Sequence, residues 1–375
     1  MRMNRWKTGF LLAVFLTVMA TEAYAVYYTG SAPQYAYVTL DTSCLFVGEE
    51  ATFRFHFGGI TPAGYEYEIR YYSNIHENEF GIIKEGTTTD DFILFTPPDA
   101  TRQYSVVVVA YEEDESYVMI ESNWFTAVER GEESVYTAAQ RVIGDIINPD
   151  MTDLEKVIAI HDWICANNVF GTSDRDQKPE GFFFDHGGVC NGISEAFQIL
   201  AVECGIPCIL PGQAATEEEP ASHKWALVQL DGIWYHVDCT WDDPEEDDYI
   251  SYLYFLFTDE EAKAYNHFHN QIGEEFISEL MTPPANGAGK RIILSSIDQL
   301  PALVTYLPDT ENATDEYCIL LSFAEGHVNL DYSSVILSGA RNKYLPQGYQ
   351  VTVKRCSPEL NGQLYYLKVT NTPAY

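Results

Sequence analysis

Around residues 129–134 (ERGEES) the chain changes its hydrophobic period. Before that point, short β-branched and aromatic runs alternate with turn-rich pieces. After it, apolar residues recur at helical spacing. A chain that gathers strands first and turns to helices later is confined to an α+β organisation built in separate units. The early runs are YAYVTL, EEATFRFHF, YEYEIRYY, DFILFTP, QYSVVVVAYE and YVMIESNWFTA, divided by pieces such as GGITPAG and PPDAT. Six strands at this spacing predict an immunoglobulin-like β-sandwich over residues 26–130. The 26 tyrosines, more than the 21 Lys+Arg, suit such a sheet-rich unit.

Beyond the change, VYTAAQRVIGDII and TDLEKVIAIHDWICANNV read as helices. The second has Leu154, Val157, Ile158, Ile160, His161, Ile164 and Cys165 near one side. Thr152 followed by Glu155 has the spacing of a capping box, and NPDMT separates the two helices. A third segment, 284–375, carries the apolar runs EYCILLSF, YQVTVKRC and LYYLKVTN and predicts a small β-rich or mixed domain. No chemical motif stands out there, and the sequon at Asn312 is of a kind that arises by chance.

The first residues predict an address. Arg2, Arg5 and Lys7 precede an apolar stretch from Gly9 to Ala20, and Ala23-Tyr24-Ala25 has a cleavage-site pattern. This reads as a secretory signal peptide, too short to span a membrane and cut after Ala25. The expectation is a secreted protein with no membrane span. Its net charge of −35 argues against a nucleic-acid partner. The eight cysteines are spaced too unevenly for a small disulfide scaffold. Cys204 and Cys208 do not make a zinc spacing with the nearby histidines, so neither metal nor cofactor is expected.

One cysteine stands apart. In GGVCNGISEAF, Cys190 opens a run in which Ile193, Ala196, Phe197, Leu200, Ala201 and Cys204 form one helical face, ended by Gly205 and Pro207. Unpaired N–H groups and the helix dipole at that end favour a thiolate and offer donors to an oxyanion. Downstream, SHKWALVQLDGIWYHVDCTW folds about Asp231-Gly232, a strong hairpin signal. Pairing Leu230 with Ile233 sets Trp225 opposite Asp238 and His223 opposite Thr240. His223 and Asp238 then become diagonal neighbours on one face, within side-chain reach. A nucleophilic thiol, a base and an orienting carboxylate result: Cys190, His223 and Asp238. His236 and His161 read as packing histidines, and His186 as a loop residue near the substrate. A redox-gated pairing of Cys190 with another cysteine is a further reading.

These residues resemble the transglutaminase-like superfamily in its secreted bacterial form. The matching pieces within 154–260 are KVIAIHDWI, GGVCNGISEAFQILAVECGIPC, SHKWALV, DGIWYHVDCTWDDP and YFLFTDEEAKAYNH, with Cys, His and Asp in the family's order. The resemblance implies a papain-like core over 131–283, a cysteine-bearing helix on an antiparallel sheet. It also implies thiol acyl transfer on amide or peptide bonds, as peptidase, amidase or protein-glutamine transamidase, through a thioester. The substrate would be a protein or peptide, with cell-wall peptide suggested by the export signal. The alternative is an inert binding or scaffold protein of the cell surface. Ala226 stands where many relatives carry Asn, and no second oxyanion donor is assigned, Gln177 lying in a polar loop. The acidic loop 242–249 reads as solvated, and 215–222 as a lip of the cleft. Oligomeric state is not legible.

Overall fold

The computed structural model describes residues 27–29, 35–73, 79–213, 223–243, 250–264, 290–310, 313–322, 331–356 and 363–371. The expected signal peptide, the 215–222 lip, most of the acidic loop and Asn312 lie outside them. The described residues form a mixed α/β structure whose first part is sheet-rich.

That part contains β1 (Tyr27–Thr29), β2 (Tyr35–Leu40), β3 (Leu45–Phe46), β4 (Ala51–Gly58), β5 (Gly64–Ser73), β6 (Phe80–Thr88), β7 (Phe92–Phe95), β8 (Arg102–Tyr111), β9 (Tyr117–Glu121) and β10 (Phe125–Val128). They make a seven-stranded sheet centred on β8 and a three-stranded sheet ordered β2-β4-β7. Phe53, Phe55, Ile69, Tyr104, Val106 and Val108 bury one shared core between them. The short strands β1 and β3 lie outside the six expected runs, and two further details differ from the sequence reading. The edge strand β6 escaped it, because that strand is mostly exposed and carries Lys84 and Glu85 among its apolar residues. YVMIESNWFTA, expected as one strand, divides into β9 and β10. Ser122 breaks it by accepting from the Val106 N–H at 2.8 Å through its hydroxyl, so both pieces pair with the same edge of β8.

The central part holds α1 (Val135–Ile146), α2 (Asp153–Asn167), β11 (Val169–Phe170), α3 (Pro179–Asp185), β12 (Gly187–Gly188) and α4 (Cys190–Glu203). Strands β13 (Cys208–Ile209), β14 (Gly212–Gln213), β15 (His223–Lys224), β16 (Ala226–Leu230) and β17 (Ile233–Val237) follow. The short helix α5 (Cys239–Asp242), β18 (Phe255–Phe257) and α6 (Asp259–Ala264) complete it. Thr152 and Glu155 form the reciprocal cap of α2, leaving neither end group unpaired. Helix α4 is buried along nearly its whole length, with Ile193, Ala196, Phe197, Leu200 and Ala201 in the core between α1, α2, α3 and the antiparallel sheet β13-β16-β17-β18. Burying each large apolar side chain there stabilises the fold by about 1.5–3 kcal/mol. Two polar ties hold the far part of α4 to the sheet-rich part. Asn123 Nδ2 donates to Gln198 Oε1 at 3.0 Å, and Ser43 Oγ donates to Glu203 Oε1 at 2.5 Å.

The last part contains β19 (Arg291–Leu294), a 3-10 helix (Ile297–Thr305), β20 (Thr314–Leu321), α7 (Ser333–Tyr344), β21 (Tyr349–Arg355) and β22 (Leu364–Asn371). Its sheet runs β19-β20-β22-β21, with β19 and β20 parallel. Both faces are covered. Ile319, Tyr365 and Leu367 pack under α7 and the 3-10 helix, while Cys318, Leu320, Leu364 and Tyr366 join the core of the central part. Double burial explains why EYCILL and LYYL read as unbroken apolar runs.

Candidate active site

Cys190 is the first residue of α4, after an extended Val189 that supplies no side-chain cap. Its thiol is half-buried. The first turn of this helix is locked from two sides. The Ser194 hydroxyl lies 2.6 Å from the Cys190 carbonyl and 2.9 Å from the Lys224 carbonyl, joining the cysteine's turn to the strand of His223. On the other side Gly192 meets the 176–178 backbone so closely that a Cβ would lie 2.4 Å from the Asp176 carbonyl oxygen. The Asn191 side chain donates to the Gln177 carbonyl at 2.5 Å, holding the same segment beside the helix start.

His223 Nε2 and Asp238 Oδ2 are 2.6 Å apart. Cys190 is among the groups that raise the proton affinity of the same imidazole. The ring stacks on Trp225, at 5.7 Å and 23°, and on Trp241, at 5.3 Å and 26°. Trp225 is fully buried, whereas Trp241 is 41% exposed and covers the ring from the solvent side. Burial alone would drive the imidazole towards its neutral form. The Asp238 charge and hydrogen bond, joined by Cys190, outweigh it and push His223 up to about 10.

Asp238 reaches His223 by a route the sequence reading did not foresee. The hairpin itself forms as expected: Leu230 pairs with Ile233, and Asp231 and Gly232 both take positive φ, +53° and +82°. The ladder, however, stops at Ala226 opposite Val237. His223 belongs to a separate strand, β15, paired with β14, so it does not sit opposite Thr240. Asp238 leaves the sheet and caps α5, its Oδ1 accepting from the N–H groups of Thr240 at 3.0 Å and Trp241 at 3.3 Å. The contact is therefore made by a helix cap and not across a hairpin. The cap leaves Oδ2 for the imidazole and fixes the carboxylate fully buried.

The remaining histidines fall elsewhere. His236 is buried, accepts from Trp225 Nε1 at 2.8 Å through Nδ1, and stacks on Phe257 at 4.8 Å. It thus supports one of the indoles that flank His223. His186 is exposed and closes α3 in the left-handed conformation. His161 is fully buried behind α5, with Nε2 at 3.1 Å from Asp242 Oδ2. Asp242 is fully buried too, so the solvated-loop reading fails at that residue. All eight cysteines are free thiols. Sequence reasoning missed Ser194 and helix α3, and took Trp241 only as part of the matching DGIWYHVDCTWDDP piece, without a role at the imidazole. Trp241 had a signal, since an Asp three residues ahead of it has the spacing of a helix cap.

Residues 140–239 match the family model of the transglutaminase-like superfamily. The protein carries a transglutaminase-like domain. Among curated proteins, this chain is 26% identical over 143 residues to the kyphoscoliosis peptidase of Mus musculus, covering 34% of this chain and 21% of the relative. It is 27% identical over 135 residues to that of Homo sapiens, covering 32% and 20%. The matched part spans about a fifth of the length of these two relatives. A solved structure of a TGase aligns over 36% of this chain and 43% of its own, at 11% identity and a TM-score of 0.26. Among the described residues no helix is long and apolar enough to cross a membrane.

Proposed function

We propose that the protein is a secreted thiol acyl-transfer enzyme that cleaves amide bonds of proteins or peptides, with Cys190 as nucleophile, His223 as acid–base and Asp238 as orienter. One observation carries this reading. His223 is held by a buried carboxylate on one nitrogen, two indoles fix its plane, and the half-exposed Cys190 acts on its titration. A packing histidine needs none of this; a catalytic one needs all of it.

In the proposed reaction the Cys190 sulfur attacks a carboxamide or peptide carbonyl carbon, and a C–S bond forms. The oxygen of the tetrahedral intermediate draws on backbone N–H groups at the start of α4. The imidazolium of His223 gives its proton to the departing nitrogen as the C–N bond breaks, leaving a thioester. A water molecule then attacks that carbonyl, its proton passing to His223, and the thiolate leaves. Asp238 keeps the imidazole oriented and offsets its charge at both stages. The relatives named kyphoscoliosis peptidase support a peptidase reading for this domain. An amine in place of water would give a transamidase through the same thioester.

Mass spectrometry of peptide and amine mixtures incubated with wild type and with Cys190→Ala tests the reading. Addition of water at a peptide bond, or exchange of ammonia for the amine, must occur with wild type and vanish with the variant. Unchanged peptides over a broad library, with Cys190 labelled by iodoacetamide no faster than the buried thiols, would leave an inert binding domain.

A further inference from the structure

Behind the turn that carries Asp238 lies a second group of chemically active side chains. His161 and Cys165, one turn apart on α2, face Cys239 on α5. The imidazole nitrogen and both sulfurs lie within 4.8 Å of one another, and all three residues are buried. The measured Cys165 Sγ to His161 Nε2 separation is 3.7 Å. A tetrahedral zinc ion, with Zn–S near 2.3 Å and Zn–N near 2.0–2.1 Å, sets its donors roughly 3.3–3.8 Å apart. Asp242 Oδ2 lies 3.1 Å from the same Nε2.

We propose that His161, Cys165 and Cys239 bind a divalent ion of zinc type. Two soft thiolates and an imidazole select such an ion over calcium or magnesium. The surroundings are those of a metal-bound histidine. His161 Nδ1 lies 3.2 Å from Asp162 Oδ1, and Tyr252 donates its hydroxyl to that same oxygen at 2.8 Å. A carboxylate behind the imidazole fixes its orientation and strengthens it as a ligand. A cystine between Cys165 and Cys239 would use only the two sulfurs of this group.

The protons balance. Burial pushes both thiols up, so they enter the reaction protonated. Binding forms two metal–sulfur bonds and one metal–nitrogen bond, and expels the proton of each thiol. Affinity therefore rises with pH. Sequence reading passed over this site because its donors, the motif His161-x-x-x-Cys165 and Cys239, lie far apart along the chain. The proposal does not depend on Cys190.

The test uses the full chain, stripped with a chelator and titrated with zinc and with cobalt(II). Wild type and Cys190→Ser are expected to take up one ion per chain. Their cobalt forms should show thiolate-to-metal charge transfer and the intense visible bands of tetrahedral coordination. The Cys165→Ser, Cys239→Ser double variant should lose the ion, and Asp162→Asn should lower affinity about 10–100-fold. If the double variant does not fold, the wild-type cobalt spectrum and the Asp162→Asn affinity still decide. Three results would overturn the proposal: no uptake by wild type, uptake without thiolate charge transfer or lost in Cys190→Ser, or protein isolated with a reducible Cys165–Cys239 bond.

Discussion

Replacing Asp238 by Asn tests the centre of the proposed mechanism, because it removes the carboxylate charge while keeping the shape. In the intact protein His223 is half-buried yet pushed up from 6.5 to about 10, and the Asp238 charge is the leading cause of the rise. At about 1.4 kcal/mol per pH unit, that rise is worth on the order of 5 kcal/mol of preference for the imidazolium, shared between Asp238 and Cys190. An asparagine leaves burial dominant, and burial favours the neutral ring. The expected outcome is that His223, followed by NMR of its ring carbons, titrates near 10 in wild type and below 6.5 in Asp238→Asn. Because the imidazolium must protonate the leaving amine, the basic limb of the pH–rate profile should move with it. Turnover at neutral pH should fall by roughly 10²–10⁴-fold, the loss expected when an orienting carboxylate is neutralised. A wild-type ring that titrates near 6.5, or a ring whose titration the substitution leaves unchanged, would refute the reasoning.

The same rise has a consequence for stability. A group raised in the folded state contributes fully below its unfolded value of 6.5 and is lost as pH climbs through about 10. Wild type should therefore lose thermal stability between those values by more than Asp238→Asn does, as read by calorimetry across the range. Ser194→Ala breaks the link between the cysteine's turn and the histidine's strand. It should cost about 1–2 kcal/mol in denaturant unfolding, with a fall in kcat that the substrate's KM does not share. Gly192→Ala drives a methyl group against the Asp176 carbonyl and should destabilise by about 1–3 kcal/mol in the same assay.

The parts of this fold that were legible in the sequence are those in which one local rule decides the outcome. Thr152 and Glu155 cap α2 because their spacing permits nothing simpler, and Asp231-Gly232 turns the hairpin because both residues tolerate positive φ. The apolar face from Ile193 to Ala201 is the buried face because period and length agree. What escaped was decided by competition between neighbours. Strand β6 hides because an exposed edge strand has no hydrophobic signal to give. The 117–128 run breaks because a single serine hydroxyl replaces a backbone partner. The pairing of His223 with Asp238 was anticipated from register, but the ladder ends before it reaches them.

The reason the ladder ends there explains the layout of the whole centre. DCTWD, residues 238–242, can continue the sheet or begin a helix, and the Asp238 side chain settles the choice by taking the N–H groups of Thr240 and Trp241. Once the turn is helical, residues three apart share a side. Asp238 and Trp241 then face His223, one holding its nitrogen and the other covering its ring. Cys239 and Asp242 turn inward to His161 and Cys165. A strand would have sent residues 238, 240 and 242 to one side and 239 and 241 to the other, splitting Trp241 from Asp238. One buried carboxylate thus fixes the geometry of the thiol–imidazole pair and of the cluster behind it. Perturbing the cluster should in turn shift the orientation of Asp238, since Asp242 N–H also donates to the Asp238 carbonyl at 3.1 Å.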